Sequence, residues 1–225
     1  MQSILLMQVP IWMEGMHRPI YILQQNFRLG LPSDRLLCRF PMLLPGTRCY
    51  TDASTAPDMS NPRPRKAGLG IFILDPTHNL KFYIKVQICN ITSVIMAEAA
   101  AMAFAASISS LLQAEKVCFL TDCQLLVNYF NGPDLNSPPH WEAKPFTQRF
   151  INSVTNKRIQ VLKVQRSMNA TAHTLASQAL RHSGTLCTLA NVNCSNASHE
   201  SSCPLSMALQ CVCMKPFSII AACCC

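Results

Sequence analysis

The run Val117-Cys118-Phe119-Leu120-Thr121, closed by Asp122, constrains the fold more than any other stretch of this chain. A short run without polar–apolar alternation suits a strand covered on both faces, and such strands belong to sheets flanked by helices. Just before it, residues 92–115 are Ala-rich without Pro or Gly, the longest helical pattern present. Further upstream lie three strand patterns. Arg48–Asp52 is a short strand pattern, Ala67–Leu74 carries Gly68 and Gly70 as marks of bending or close backbone approach, and Leu80–Cys89 alternates like a half-buried antiparallel strand. Downstream the pattern gives a short helix over 122–131 ended by Gly132, a Pro-bearing loop, a helix over 140–155 and a strand over Arg158–Val164. A closing helix over 169–182 is capped by Asn169 and ended by Gly184. The order βββαβα(α)βα predicts an α/β domain with a mixed sheet and helices on both faces, in which the first and fourth strands are parallel neighbours.

That topology gives three acids a shared destination. Asp52 ends the first strand in CYTDAS (49–54), Glu98 sits early in the long helix in VIMAEAAAMAFAA (94–106), and Asp122 is the first polar group after the central strand. Acids are scarce, 11 in 225 residues, so their placement at one sheet edge carries weight. Clustered carboxylates of this kind can hold two Mg²⁺ ions about 3.5–4 Å apart, which activate water and stabilise a leaving oxygen. Each acid also has a plainer reading. Asp52 could form a turn, Glu98 could pair with Lys116 or an Arg, and Asp122 could cap the helix after it.

CYTDAS, AGLGIFI (67–73), the Ser93-x-x-x-x-Glu98 spacing, TDCQLLV (121–127) and N-x-x-A-H-x-L-A (169–176) occur in one order. Together they resemble the type-1 ribonuclease H domain, most of all the reverse-transcriptase-associated, retrotransposon-derived version found in plants, over about residues 46–183. The resemblance implies a ribonuclease H-like fold with a five-stranded mixed sheet, three antiparallel strands then parallel ones. It implies endonucleolytic hydrolysis of the RNA strand of RNA–DNA hybrids with two Mg²⁺ (or Mn²⁺) ions on Asp52, Glu98 and Asp122. Gln124 and Ser54 match positions expected to contact the hybrid, and Arg166 matches a basic position before the closing helix. His173 stands where the best-known members carry a fourth Asp. Imidazole is a poor ligand for a hard cation, so His173 is a weak substitute ligand, a proton shuttle or a surface residue without a role. The basic handle of bacterial enzymes is absent, with Trp141 and Lys144 lying roughly there. A catalytically decayed nucleic-acid-binding domain of retrotransposon origin is therefore the alternative, and another nuclease or integrase of the same fold is a third reading.

Charge agrees with a polyanionic partner. Residues 48–182 hold 14 of the 19 Lys/Arg and eight of the 11 acids, so most of the net charge of +8 falls on the candidate domain. Arg63, Arg65 and Lys66 lie in a Pro-rich loop after the first strand and are candidate phosphate contacts. Eight of the 13 cysteines follow residue 183 without a zinc-finger spacing. Cys49, Cys89, Cys118 and Cys123 are isolated, as small buried hydrophobes in a reducing, intracellular setting would be. The apolar start has no early Lys or Arg and is broken by Pro10, so it is not expected to be a signal peptide, and no run is expected to span a membrane. The expected organisation is a poorly ordered leader over 1–47, a monomeric domain over 48–183 and a Cys-rich, disordered tail over 184–225.

Overall fold

A computed structural model describes residues 44, 46–56, 65–135, 137–183, 192–194, 203–211 and 216–225. Strands β1 (Thr47–Thr55), β2 (Arg65–Asp75) and β3 (Leu80–Ile91) run antiparallel in sequence order. Helix α1 (Val94–Leu111) then returns the chain to β4 (Lys116–Thr121), which lies parallel to β1. Helix α2 (Gln124–Phe130), a 3-10 turn (Trp141–Ala143) and α3 (Lys144–Val154) lead to β5 (Arg158–Lys163), parallel to β4. Helix α4 (Ala170–Arg181) follows. The mixed α/β architecture expected from the pattern is present. The leader expected over 1–47 lies outside the described residues except at 44, 46 and 47.

Two expectations are corrected. Among the described residues the sheet has seven strands, in the order β5-β4-β1-β2-β3-β7-β6, and the extra two come from the tail expected to be disordered. Strand β6 (Val192–Cys194), helix α5 (Pro204–Cys211) and strand β7 (Phe217–Cys224) extend the sheet beyond β3. Strand β7 hides its period in the sequence. Phe217 and Ile219 are buried, then Ala222 and Cys224, because a bulge opposite Lys85/Val86 inserts one residue and flips the alternation. Phe217 meets Phe104 of α1 edge-on at 5.0 Å between ring centroids, so the tail joins the main core.

The two faces of the sheet differ in kind. On one, Leu69, Ile71, Ile73, Phe82, Ile84, Val86 and Phe119 pack on α1, whose alanines are buried almost all round. Small side chains let α1 sit between the sheet and α3. This helix is long and apolar enough by composition to cross a membrane, contrary to the sequence-based expectation, but its apolar surface is spent on this core. On the other face α4 lies directly on β2. A Cβ at Gly70 would fall 1.9 Å from the Ala172 carbonyl oxygen, and one at Gly68 would fall 2.1 Å from that of Ala176. No side chain fits there, so the helix backbone rests on the strand. Buried Gln87 of β3 secures the far end, its Nε2 donating to the carbonyls of Ala179 and His182 at 3.3 Å each. Gly70→Val should lift α4 and cost about 3 kcal/mol or more, read as a lower urea midpoint. An unchanged midpoint would show that the helix can move away freely.

Candidate active site

The parallel pairing of β1 with β4 stops at Tyr50 opposite Leu120, while β1 runs on beside β2 to Thr55. The two strands therefore part at their carboxyl ends, the position at which open α/β sheets form a crevice. Asp52 lies on β1 just past that point, and Asp122 follows the last residue of β4. Glu98 comes in from α1, whose start is fixed by Ser93 accepting the Met96 N–H at 3.4 Å. The three carboxylates each offer an oxygen, and these oxygens all lie within 4.8 Å of one another.

Their surroundings oppose so much negative charge. Asp52 is 3% exposed and Glu98 7%, with Asp122 half-buried. Burial pushes the Glu98 carboxyl well above the usual range, and Asp52 and Asp122 push it further; the Ala53 N–H and the Arg166 guanidinium act in the other direction. Burial also raises Asp52, its hydrogen bond to His173 pulls it back, and Asp122 raises it again. Glu98 Oε2 is buried with no hydrogen-bond partner among the described residues. A carboxylate oxygen left orphaned beside two other acids is a costly arrangement for stability alone, and this all-oxygen donor set fits a hard divalent cation.

His173 is one turn into α4 and half-buried, its Nδ1 2.7 Å from Asp52 Oδ2. The ring therefore contacts one of the three clustered carboxylates. Asn169 also departs from expectation. It occupies the N-cap position of α4 but makes no side-chain capping bond; its Nδ2 donates to the Thr51 carbonyl at 2.8 Å. That bond ties the start of α4 to the residue beside Asp52, and Gly70, paired with Asp52 across the sheet, gives α4 the room to reach it. Neither role was visible from spacing, although two glycines two apart in AGLGIFI did mark the close approach. Asp122 does not cap α2 as the plainer reading allowed, because the N-cap is Cys123.

The remaining described candidates lie on the elements around this site. Ser54 is half-buried, two residues beyond Asp52. Gln124 is exposed at the start of α2, its Nε2 donating to Asn128 Oδ1 at 2.6 Å. Arg166 is exposed just before α4, close enough for its charge to act on Asp52 and Glu98. Arg65 and Lys66 open β2 rather than lying in a loop, and Lys66 is exposed; Arg63 lies outside the described residues.

Fold and site together define an α/β protein of ribonuclease H-like architecture with a carboxylate cluster at the edge where its parallel strands part. The chain belongs to the reverse transcriptase-like family, whose model matches residues 58–179. That match takes in Glu98, Asp122 and His173 and begins after Asp52. No curated protein matches the chain. Among solved structures it is similar to ribonuclease H1 from the halophilic archaeon Halobacterium salinarum, at 18% identity over 60% of this chain and 96% of that one, TM-score 0.45. It is also similar to the N-terminal ribonuclease H domain of a Mycobacterium tuberculosis protein, at 20% over 60% and 92%, TM-score 0.47. A third likeness is to prototype foamy virus protease–reverse transcriptase, at 20% over 61% of this chain and 21% of that one, TM-score 0.47.

Proposed function

We propose that this protein hydrolyses the RNA strand of RNA–DNA hybrids at the Asp52–Glu98–Asp122 cluster. The observation that carries the reading is the convergence of three carboxylates, one with an orphaned buried oxygen, at the carboxyl ends of β1 and β4. Membership of the reverse transcriptase-like family supports the substrate class. Mg²⁺ or Mn²⁺, as one or two ions on these carboxylates, would supply an activated water and neutralise charge on the leaving 3′-oxygen.

The chain's own residues do the positioning. When Asp52 is ionised it can only accept hydrogen bonds, so Nδ1 of His173 carries the proton and, in the neutral ring, Nε2 is left as an acceptor. The same bond fixes the Asp52 carboxylate, as a bond from a neighbouring side chain commonly orients a metal-binding group. Arg166 and Lys66 would add positive charge for phosphates, and Ser54 and Gln124 are the candidates for contacts to the sugar edge of a hybrid. His173→Ala should cut turnover by about 10–100-fold. Turnover equal to the parent's would return His173 to the surface residue without a role.

Labelled RNA–DNA hybrid, duplex DNA and duplex RNA, each with Mg²⁺ or Mn²⁺, test the reading. Cleavage confined to the RNA strand of the hybrid, leaving 3′-hydroxyl ends, is expected. The position of His173 where a fourth carboxylate would complete the site favours a second reading, a domain that binds hybrids without cutting them. Hybrid binding with no cleavage in either metal would establish it.

A further inference from the structure

The C-terminal segments bring together three thiols that the carboxylate site does not use. Cys194 ends β6, Cys203 immediately precedes α5, and Cys224 ends β7. In the sequence they are separated by eight and then 20 residues, a spacing that matches no zinc-finger pattern. Chain topology supplies the proximity. Strands β6 and β7 are parallel with Cys194 in register with Cys224, and α5 delivers Cys203 to the same point. The three Sγ atoms lie within 4.8 Å of one another, and Cys224 makes side-chain contacts with both of the others. Tetrahedral thiolates at a Zn–S distance near 2.3 Å stand about 3.8 Å apart, so a small closure of this trio encloses an ion.

We propose that Cys194, Cys203 and Cys224 form a soft-metal site, filled by Zn²⁺, that clamps the C-terminal segments to the sheet. Three sulfurs select a borderline-soft cation and disfavour Mg²⁺, so this site and the carboxylate cluster take different ions. Cys224 is buried and Cys194 exposed, and a bound zinc would need a fourth ligand beyond these three thiolates. Such a clamp would tie the end of β6 (Val192–Cys194), the start of α5 (Pro204–Cys211) and the end of β7 to one another. The neighbouring thiols Cys223 and Cys225 approach each other at 3.3 Å and alternate with Cys224 along the strand, so they fall outside the trio.

The test uses the full chain purified under reducing conditions. About one zinc per chain is expected, and replacement by Co²⁺ should give the intense visible bands of a tetrahedral thiolate site with a thiolate charge-transfer band in the near ultraviolet. Cys224→Ser should reduce bound zinc to near none, while Cys211→Ser, Cys223→Ser and Asp52→Asn keep it. Cys203→His, which retains a zinc ligand, should keep the metal and lower the charge-transfer intensity by about a third. Weak octahedral Co²⁺ bands in the unaltered chain would overturn the proposal. So would an undiminished thiolate spectrum in Cys224→Ser, or a disulfide joining two of the three cysteines in the reduced preparation.

Discussion

Glu98→Gln makes the metal-free protein more stable and the protein inactive in one step. In the native chain Glu98 is buried against Asp52 and Asp122, and its carboxyl is held well above its ordinary value of 4.5. A group raised on folding contributes stability that is fully present below its unfolded value and lost as pH rises through the folded one. Melting temperature in chelator should therefore fall as pH is raised from the ordinary carboxylate range upward. Asp52 is raised as well and adds to the same slope. Gln keeps the shape and removes the charge, so the slope should flatten and stability near neutral pH should rise by about 1–3 kcal/mol. For a chain of this size that is about 2–4 °C per kcal/mol. Excess Mg²⁺ or Mn²⁺ should stabilise the native chain and leave the variant unmoved, since a ligand stabilises only the state that binds it. A variant that melts lower than the parent in chelator would mean that Glu98 is held by interactions other than a cation.

Asp52→Asn should reduce hybrid cleavage by at least about 10³-fold with no fall in the urea midpoint measured in chelator. The site's groups act as a unit, and in such sets the loss of one member removes most of the rate. The Asn side chain can still accept from His173, so the packing of α4 on β1 persists and the loss is one of charge. Cleavage at the parental rate in a clean preparation would place the chemistry elsewhere.

The parts of this site that the sequence exposed are those with a strong local signal. Val117–Thr121 reads as a doubly covered strand from its composition alone, and a strand of that kind forces Asp122 to an edge. The helical pattern after Ser93 likewise places Glu98 on a face that must be buried. What escaped has a long-range cause. Asn169 looks like a helix cap, and its side chain is drawn away by a backbone carbonyl 118 positions earlier in the chain. The His173–Asp52 bond joins residues 121 apart and depends on the absence of a side chain at Gly70. Strand β7 was missed because a bulge breaks its period, and the thiol trio because only the β6–β7 register brings it together.

Asp52, Glu98 and Asp122 are expected to hold a divalent cation together. Titration of the chain with Mn²⁺, following the free ion by electron paramagnetic resonance, tests it most directly. Saturable binding is predicted for the parent, weakening as pH falls because Glu98 and Asp52 take up protons, and lost in Glu98→Gln and in Asp52→Asn. Binding of equal strength in the parent and in both variants would contradict the account.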